Sequence, residues 1–368
     1  MRKLRIAVIA SNFIRIPPRL KDIPHGYSGA PEMIVHEITE GLVKKGHNVT
    51  LFASGDSKTS AKLFWLTKKG LSTTKGIEVK KHFLFELFHL SLAYQKIQKE
   101  KFDLINCHFD WPSSLFAPFV KIPTVITLHS PLNNFSPLMK KVLKCNFRNL
   151  NYISISNSQR KGFPELNYVE TIYHGIDIKK FKFNIQPKNY FIFVGRIVPD
   201  KGAHLAIKIC KKLGEKLYII GDYSRDNDYY INYFKKEIEP NLDHKKIIWL
   251  GKWILKKEVI NFYRNARALI LPLQWEEPFG LTMVEAMACG TPVVAYNRGS
   301  ASEIIKDGKN GFLANDINEM TQKIKKIDTI HREDCRKWVE EKFTLEKMIE
   351  NYEKTFYEIL LRSKKINL

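Results

Sequence analysis

Two carboxylates lie close together in the stretch "WEEPFGLTMVEA": Glu277 ahead of a Pro-Phe-Gly turn, and Glu285 inside the apolar segment that follows. Pro278 disfavours helical geometry at Glu277, so a helix is expected to begin near Gly280 or Leu281. It should end at Gly290, with Pro292 just beyond. Glu285 then falls in the second turn, and Glu277 sits on the loop ahead of the N-terminus. Such a terminus offers unpaired N–H groups to an anion, but its dipole contributes only about 0.3–1 kcal/mol, and two carboxylates oppose it. Cations are needed. The stretch "GRIVPDKG" supplies Arg196 and Lys201 on either side of a turn. Their charge-assisted hydrogen bonds, at about 1.5–3 kcal/mol each, could hold two phosphates. The carboxylates then make sense as acceptors for hydroxyl groups. Hydroxyls on both sides of a diphosphate are the chemistry of a nucleotide sugar.

The elements that would position these groups alternate strand and helix. In the first half the strand-like runs are "RIAVIA" (5–10), "NVTLFAS" (48–54), "DLINCH" (103–108), "PTVITLH" (123–129), "NYISIS" (151–156) and "ETIYHG" (170–175). A helical pattern starts at Pro31 and stops at Gly46. After a polar linker near 178–188 the pattern restarts with "YFIFVG" (190–195), "KLYIIG" (216–221), "KIIWLG" (246–251), "ALILP" (268–272) and "PVVAY" (292–296), separated by helical stretches such as 204–213 and 256–266. Repeated βαβ units predict α/β architecture with parallel sheets. Three strands of the second half run into glycine, at Gly195, Gly221 and Gly251. Ligands of open parallel sheets bind at the carboxyl ends of strands, where glycine allows close backbone approach. The expected organisation is two doubly wound, Rossmann-like domains facing across a cleft, 1–180 and 181–345, with a helix over 346–368 packing back on the first. A dehydrogenase fingerprint is missing: no GxGxxG follows either domain's first strand.

With 368 residues, 44% hydrophobic and 27% charged, the chain has the length and composition of a two-domain globular protein. The apolar run Ile6–Ala10 is too short for a signal peptide. No segment approaches the roughly 18 apolar residues of a membrane span; the best stretch, 83–97, is broken by Glu86, His89 and Gln95, and its aromatic- and Leu-rich part, 83–94, reads as a crossover helix buried against the sheet rather than as a membrane anchor. The five cysteines show no metal or redox spacing and imply reduced thiols in a cytoplasmic protein. His331 and Cys335 have ligand-like spacing but no second pair, so no metal is expected. The formal charge is +22, and residues 1–180 carry 27 Lys and Arg against 13 Asp and Glu. That excess could suit an anionic membrane surface at its inner face or an acidic acceptor, but the basic residues are mostly lysines scattered along the chain, and solvated faces are the favoured account.

The segments "YSGAPE", "GHNVTLFASGDS", "ITLHSP", "ISNSQR", "YHGID", "FVGRIVPDKG" and "EEPFGLTMVEAMACGTPVVAYNRGS" together resemble glycosyltransferase family 4 along nearly the whole chain. The resemblance implies a GT-B fold and retaining transfer of a hexose from a nucleoside diphosphate sugar to a hydroxyl acceptor, with UDP and glucose as the first expectations and cell-envelope or other glycan biosynthesis as the setting. It gives Arg196 and Lys201 to the donor diphosphate, Glu277 to the sugar hydroxyls and Glu285 to the ribose. Backbone N–H groups around Phe279, Gly280 and Leu281 complete the phosphate site, and His129 lies near the donor sugar. No cofactor is implied, and no divalent metal: no Asp-x-Asp pattern ends a strand. The family commonly has adjacent glycines where this chain reads Ser28-Gly29, so Gly29 serves alone, and it often has two glycines where this chain has Gly299-Ser300. His108 and His174 fit structural roles as well as functional ones. A sugar-nucleotide 2-epimerase of the same fold is the alternative enzyme. A basic nucleic-acid-binding protein is the alternative outside enzymes, and the organised cleft argues against it.

Overall fold

The computed structural model describes residues 2–74, 82–133, 135–251 and 254–366. These divide into two compact units. The first holds the described residues of 1–23, 29–173 and 346–368; the second holds 24–28 and 174–345.

In the first unit the strands are β1 (Arg5–Ile9), β2 (Asn48–Phe52), β3 (Lys62–Phe64), β4 (Leu104–Cys107), β5 (Thr124–Thr127), β6 (Asn151–Ser154) and β7 (Tyr168–Thr171). They form one sheet in the order β3-β2-β1-β4-β5-β6-β7, and every pairing is parallel. The second unit contains β8 (Phe191–Val194), β9 (Leu217–Ile220), β10 (Ile247–Trp249), β11 (Ala268–Leu271), β12 (Val293–Tyr296) and β13 (Gly311–Ala314), ordered β10-β9-β8-β11-β12-β13 and also parallel. The central strands are uninterrupted apolar runs because helices cover both faces of such sheets; each residue of β8, β11 and β12 is buried. In each unit the chain reverses its direction of travel across the sheet beside the first strand, between β1 and β4 and between β8 and β11. Crevices at such reversals are where open α/β sheets take ligands.

Three departures from the sequence-based expectations have physical causes. The edge strands β3 and β13 were not foreseen; each is only three or four residues long and pairs on one side, so little apolar pattern marks it. The units part between Tyr173 and His174 rather than at residue 180, because Ile176 is tied to the second unit. Its N–H donates to the Phe343 carbonyl (3.0 Å), and its own carbonyl accepts from the Leu345 N–H (2.9 Å). The third concerns the helix His82–Lys99. Its helical phase places Glu86, His89, Leu90, Ala93, Tyr94 and Ile97 on the sheet side. The polar interruptions Glu86 and His89 therefore point inward, while Leu84, Phe88 and Leu92 are exposed.

The last helix, Leu345–Ile366, belongs to the first unit from Glu346 onward. Tyr352 and Phe356 are fully buried. Gly41, in the helix Ala30–Lys44, has no room for a Cβ because Ile349 lies against it. Glu353 accepts from Lys45 Nζ (2.8 Å) and pairs with His47 Nε2 (2.9 Å).

Candidate active site

The loops after β8 and β11 leave the second sheet at its point of reversal, and they are bound to one another. The N–H of Gln274 donates to the Asp200 carbonyl (2.7 Å). Gly202, with φ +77°, lies so near the Pro272 carbonyl that a Cβ would overlap it. This contact fixes Lys201 at the end of a short 3-10 turn, Pro199–Lys201. The Lys201 ammonium pairs with Glu277 Oε2 and lies 4.4 Å from the centre of the Trp275 ring. Trp275 Nε1 donates to the same carboxylate oxygen (3.0 Å). Both charged side chains are sealed, at 17% and 10% exposure. Burial draws the Lys201 ammonium below the usual lysine range; the Glu277 carboxylate works against that shift, and the nearby positive charge of Arg196 adds to it. Arg196, the residue after Gly195, is half-buried.

Glu277 is held from behind as well. The loop Gly299-Ser300 comes so close that a Cβ on Gly299 would overlap the Glu277 backbone. The Ser300 N–H donates to the Glu277 carbonyl (2.9 Å), and its hydroxyl donates to the Phe279 carbonyl (2.6 Å). The serine at 300 thus has a bonding role a glycine could not fill. Gly280, in the left-handed region at φ +83°, starts the helix Leu281–Ala288 with no side-chain cap. Phe279 is buried against His174 (5.1 Å) and Phe343 (5.8 Å), which gives His174 a packing role. Glu285 falls in the second turn, 8% exposed, and pairs with Lys256 Nζ. Behind it, burial and the Glu285 charge push the Tyr263 hydroxyl well above its ordinary value and the Cys289 thiol up to about 12.

The three strand-end glycines differ. A Cβ on Gly221 would run into the Gly195 carbonyl oxygen, whereas one on Gly195 would meet only ordinary contacts. Gly251 follows β10 by two residues, and a Cβ there would meet nothing within 4 Å. Close approach is therefore required at Gly221 alone.

Arg196, Lys201, Glu277, Glu285, Phe279, Gly280, Leu281, Gly195, Gly221 and Gly251 all belong to the second unit; His129 and Gly29 belong to the first. Gly29 (φ +66°) starts the helix Ala30–Lys44. Ser28 is not among the residues with positive φ, so the serine there imposes no backbone strain. His129 follows β5, and its Nε2 lies 3.0 Å from His108 Nδ1. Asp110 joins them: its Oδ1 accepts from the backbone N–H of His129 (2.6 Å), and its Oδ2 from the Ser130 hydroxyl (2.9 Å). These bonds hold Asp110 at φ +45°, a conformation that persists only when its surroundings over-determine it. Burial pulls the His129 imidazole below its ordinary range, opposed by the Asp110 charge, which favours a neutral ring.

Residues 175–353 match the family described as glycosyl transferases group 1, and residues 31–180 match glycosyltransferase family 4. The chain belongs to the family 4-type glycosyltransferases. An uncharacterized glycosyltransferase of Methanocaldococcus jannaschii is 29% identical over 72% of this chain and 77% of its own length. Two solved structures share the fold. A sucrose-phosphate synthase from Thermosynechococcus elongatus superposes with a TM-score of 0.80 at 19% identity, over 98% of this chain and all of that one. HepE of Anabaena, solved in complex with UDP-glucose, gives 0.71 at 18% identity, over 96% of this chain and all of that one. The two parallel sheets are those of a two-domain α/β GT-B fold.

Sequence reasoning about this glycosyltransferase missed three residues that hold the site together. Trp275 stands just ahead of the Pro-Phe-Gly turn, where an indole beside an acid is a signal for a buried N–H donor. Lys256 gave no signal, since its pairing with Glu285 is tertiary. Asp222, next after Gly221, is 2% exposed; its Oδ2 lies 2.5 Å from His25 Nδ1, and its Oδ1 accepts from Arg225 (3.0 Å) and the Tyr223 N–H (2.9 Å). That contact, with the close approach of Gly26 to the Ser224 backbone, ties residues 24–28 to the second unit.

Proposed function

We propose that the protein is a retaining hexosyltransferase that takes its sugar from a UDP-sugar, glucose first among the expected hexoses, and delivers it to a hydroxyl acceptor. The observation that carries this reading is the sealed Lys201–Glu277–Trp275 cluster beside the uncapped helix start at Gly280. A cation, a hydroxyl acceptor and the first N–H groups of a helix are there brought together at the sheet's point of reversal. Arg196, Lys201 and the helix start would take up the negative charge that develops on the departing diphosphate, where preorganised donors contribute most. Glu277 would accept hydrogen bonds from the sugar hydroxyls and Glu285 from the ribose. The sequence shows no evident carboxylate nucleophile for double displacement, so the proposed route is front-face, with the leaving phosphate assisting deprotonation of the acceptor. The reaction is proposed to need no metal ion and no cofactor, so EDTA should leave turnover unchanged.

A thermal-shift panel of UDP, GDP and ADP with their glucose conjugates tests the donor assignment. A ligand at a hundredfold its Kd adds about 2.7 kcal/mol to stability, so UDP and UDP-glucose should raise the Tm by several degrees and ADP by much less. A panel with no responder would overturn the donor site; a GDP preference would overturn only the base.

A further inference from the structure

The helix His82–Lys99 turns its polar residues inward and its large apolar ones outward. Leu84, Phe88 and Leu92 are 56%, 52% and 38% exposed, and their spacing of four sets them in one row about 12 Å long. Leu66 and Phe85 line a groove beside the row. Beyond its far end, Phe119 is 76% exposed, and its carbonyl accepts from Gln98 of the same helix (2.9 Å). The inner face of the helix already packs on the sheet through Leu90, Ala93, Tyr94 and Ile97, so packing within the unit does not call for the outer row. Exposed apolar side chains that form a continuous patch mark interaction surfaces.

Charge decides what would cover the patch. The helix carries one acidic residue, Glu86, and it is buried beneath. Exposed lysines flank these residues in sequence: Lys68 and Lys69 follow Leu66 of the groove, Lys99 and Lys101 follow the end of the helix that carries Leu92, and Lys121 follows Phe119; Glu100, between Lys99 and Lys101, pairs with Lys62 and Lys96. An apolar row bordered by lysines is the pattern of a surface lying in the headgroup region of a bilayer, with apolar side chains in the acyl boundary and ammonium groups on anionic headgroups. A second copy of this chain, itself at +22, would bring like charge against like. Among the described residues no helix is long and apolar enough to cross a membrane, so contact here would be peripheral.

We infer that the outer face of the helix His82–Lys99 docks the protein on an anionic lipid bilayer. This reading does not depend on the donor site. The test is co-sedimentation of the full chain with vesicles of phosphatidylcholine alone, or with 30% phosphatidylglycerol, in 0.1 M salt. Partitioning onto the anionic vesicles should be at least tenfold stronger and should fall steeply in 0.5 M salt. The triple substitution Leu84→Ser, Phe88→Ser, Leu92→Ser should lower it at least tenfold while leaving the melting curve and any nucleotide-induced shift intact, since these side chains are exposed. Equal partitioning of wild type and triple variant would overturn the inference. So would wild-type self-association, seen by sedimentation velocity and abolished by the triple substitution, without vesicle binding.

Discussion

Glu277 and Glu86 are both carboxylates buried at the carboxyl edge of a parallel sheet, one in each unit, and the fold treats them in opposite ways. Glu277 is given a lysine ammonium and an indole N–H on a single oxygen. Glu86 is given the Ser11 hydroxyl and a histidine, His82, 3.6 Å away. Burial then pushes the Glu86 carboxyl up to about 7, and the neighbouring Glu32 adds to the rise. A buried charge persists only where a partner and hydrogen bonds compensate its desolvation. The second unit holds a charged pair in place before any ligand arrives; the first holds an acid that ionises near neutrality.

Removing the compensation should have the largest effect. Lys201→Ala should cut turnover about a thousandfold, the scale of losing a preorganised transition-state donor. It should also destabilise the fold by about 3–5 kcal/mol, because Glu277 is left without its cation. The double variant with Glu277→Gln should recover much of that stability and none of the turnover. Urea melts and steady-state kinetics separate the two, and a single variant with near-normal turnover would remove Lys201 from the chemistry.

A smaller effect is expected at Glu86. With its folded pKa raised, the folded state binds more protons than the unfolded one between about pH 4.5 and 7. Its contribution is therefore fully present below the unfolded value and lost as pH rises through 7. A shift of that size corresponds to about 3 kcal/mol. Glu86→Gln, which keeps a hydrogen-bond acceptor for Ser11, should abolish that part of the pH dependence in melts from pH 4.5 to 8. An unchanged profile would show that Glu86 is compensated after all.

The smallest effect concerns the pair Lys256–Glu285, where the lysine is 56% exposed. Solvent screening leaves such a pair about 0–1 kcal/mol, so Lys256→Ala should melt within about 1 kcal/mol of wild type. If Glu285 receives the ribose, donor KM should change several-fold with kcat nearly constant. A kcat collapse comparable with that of Lys201→Ala would erase the distinction between a sealed pair and an open one.

What could be read from the sequence was whatever local geometry dictates. Pro278 and Gly280 mark the start of the helix that carries Glu285, and the apolar runs mark the central strands. The helix His82–Lys99 packs on the sheet as its sequence suggests, but its exposed row Leu84–Phe88–Leu92 was not legible, because hydrophobicity shows which residues prefer burial, not which face of a helix meets the sheet. Asp222 with His25, and Glu285 with Lys256, were illegible for another reason. Each bond joins segments distant in sequence, and neither partner sits in a pattern of its own. The serine at 300 looked like a departure from a glycine pair until its bond to the Phe279 carbonyl gave it a purpose.

The placement of Leu345–Ile366 has a consequence for how the chain folds as it is made. On the ribosome, residues 174–345 are complete before Tyr352 and Phe356 are synthesised, and those two rings fill the interior of the unit begun first. The N-terminal sheet therefore waits, with an unfilled core, while the later-made sheet can already close. Synthesis order and completion order are inverted, and the waiting interval is when the first unit is most open to chaperones and proteases.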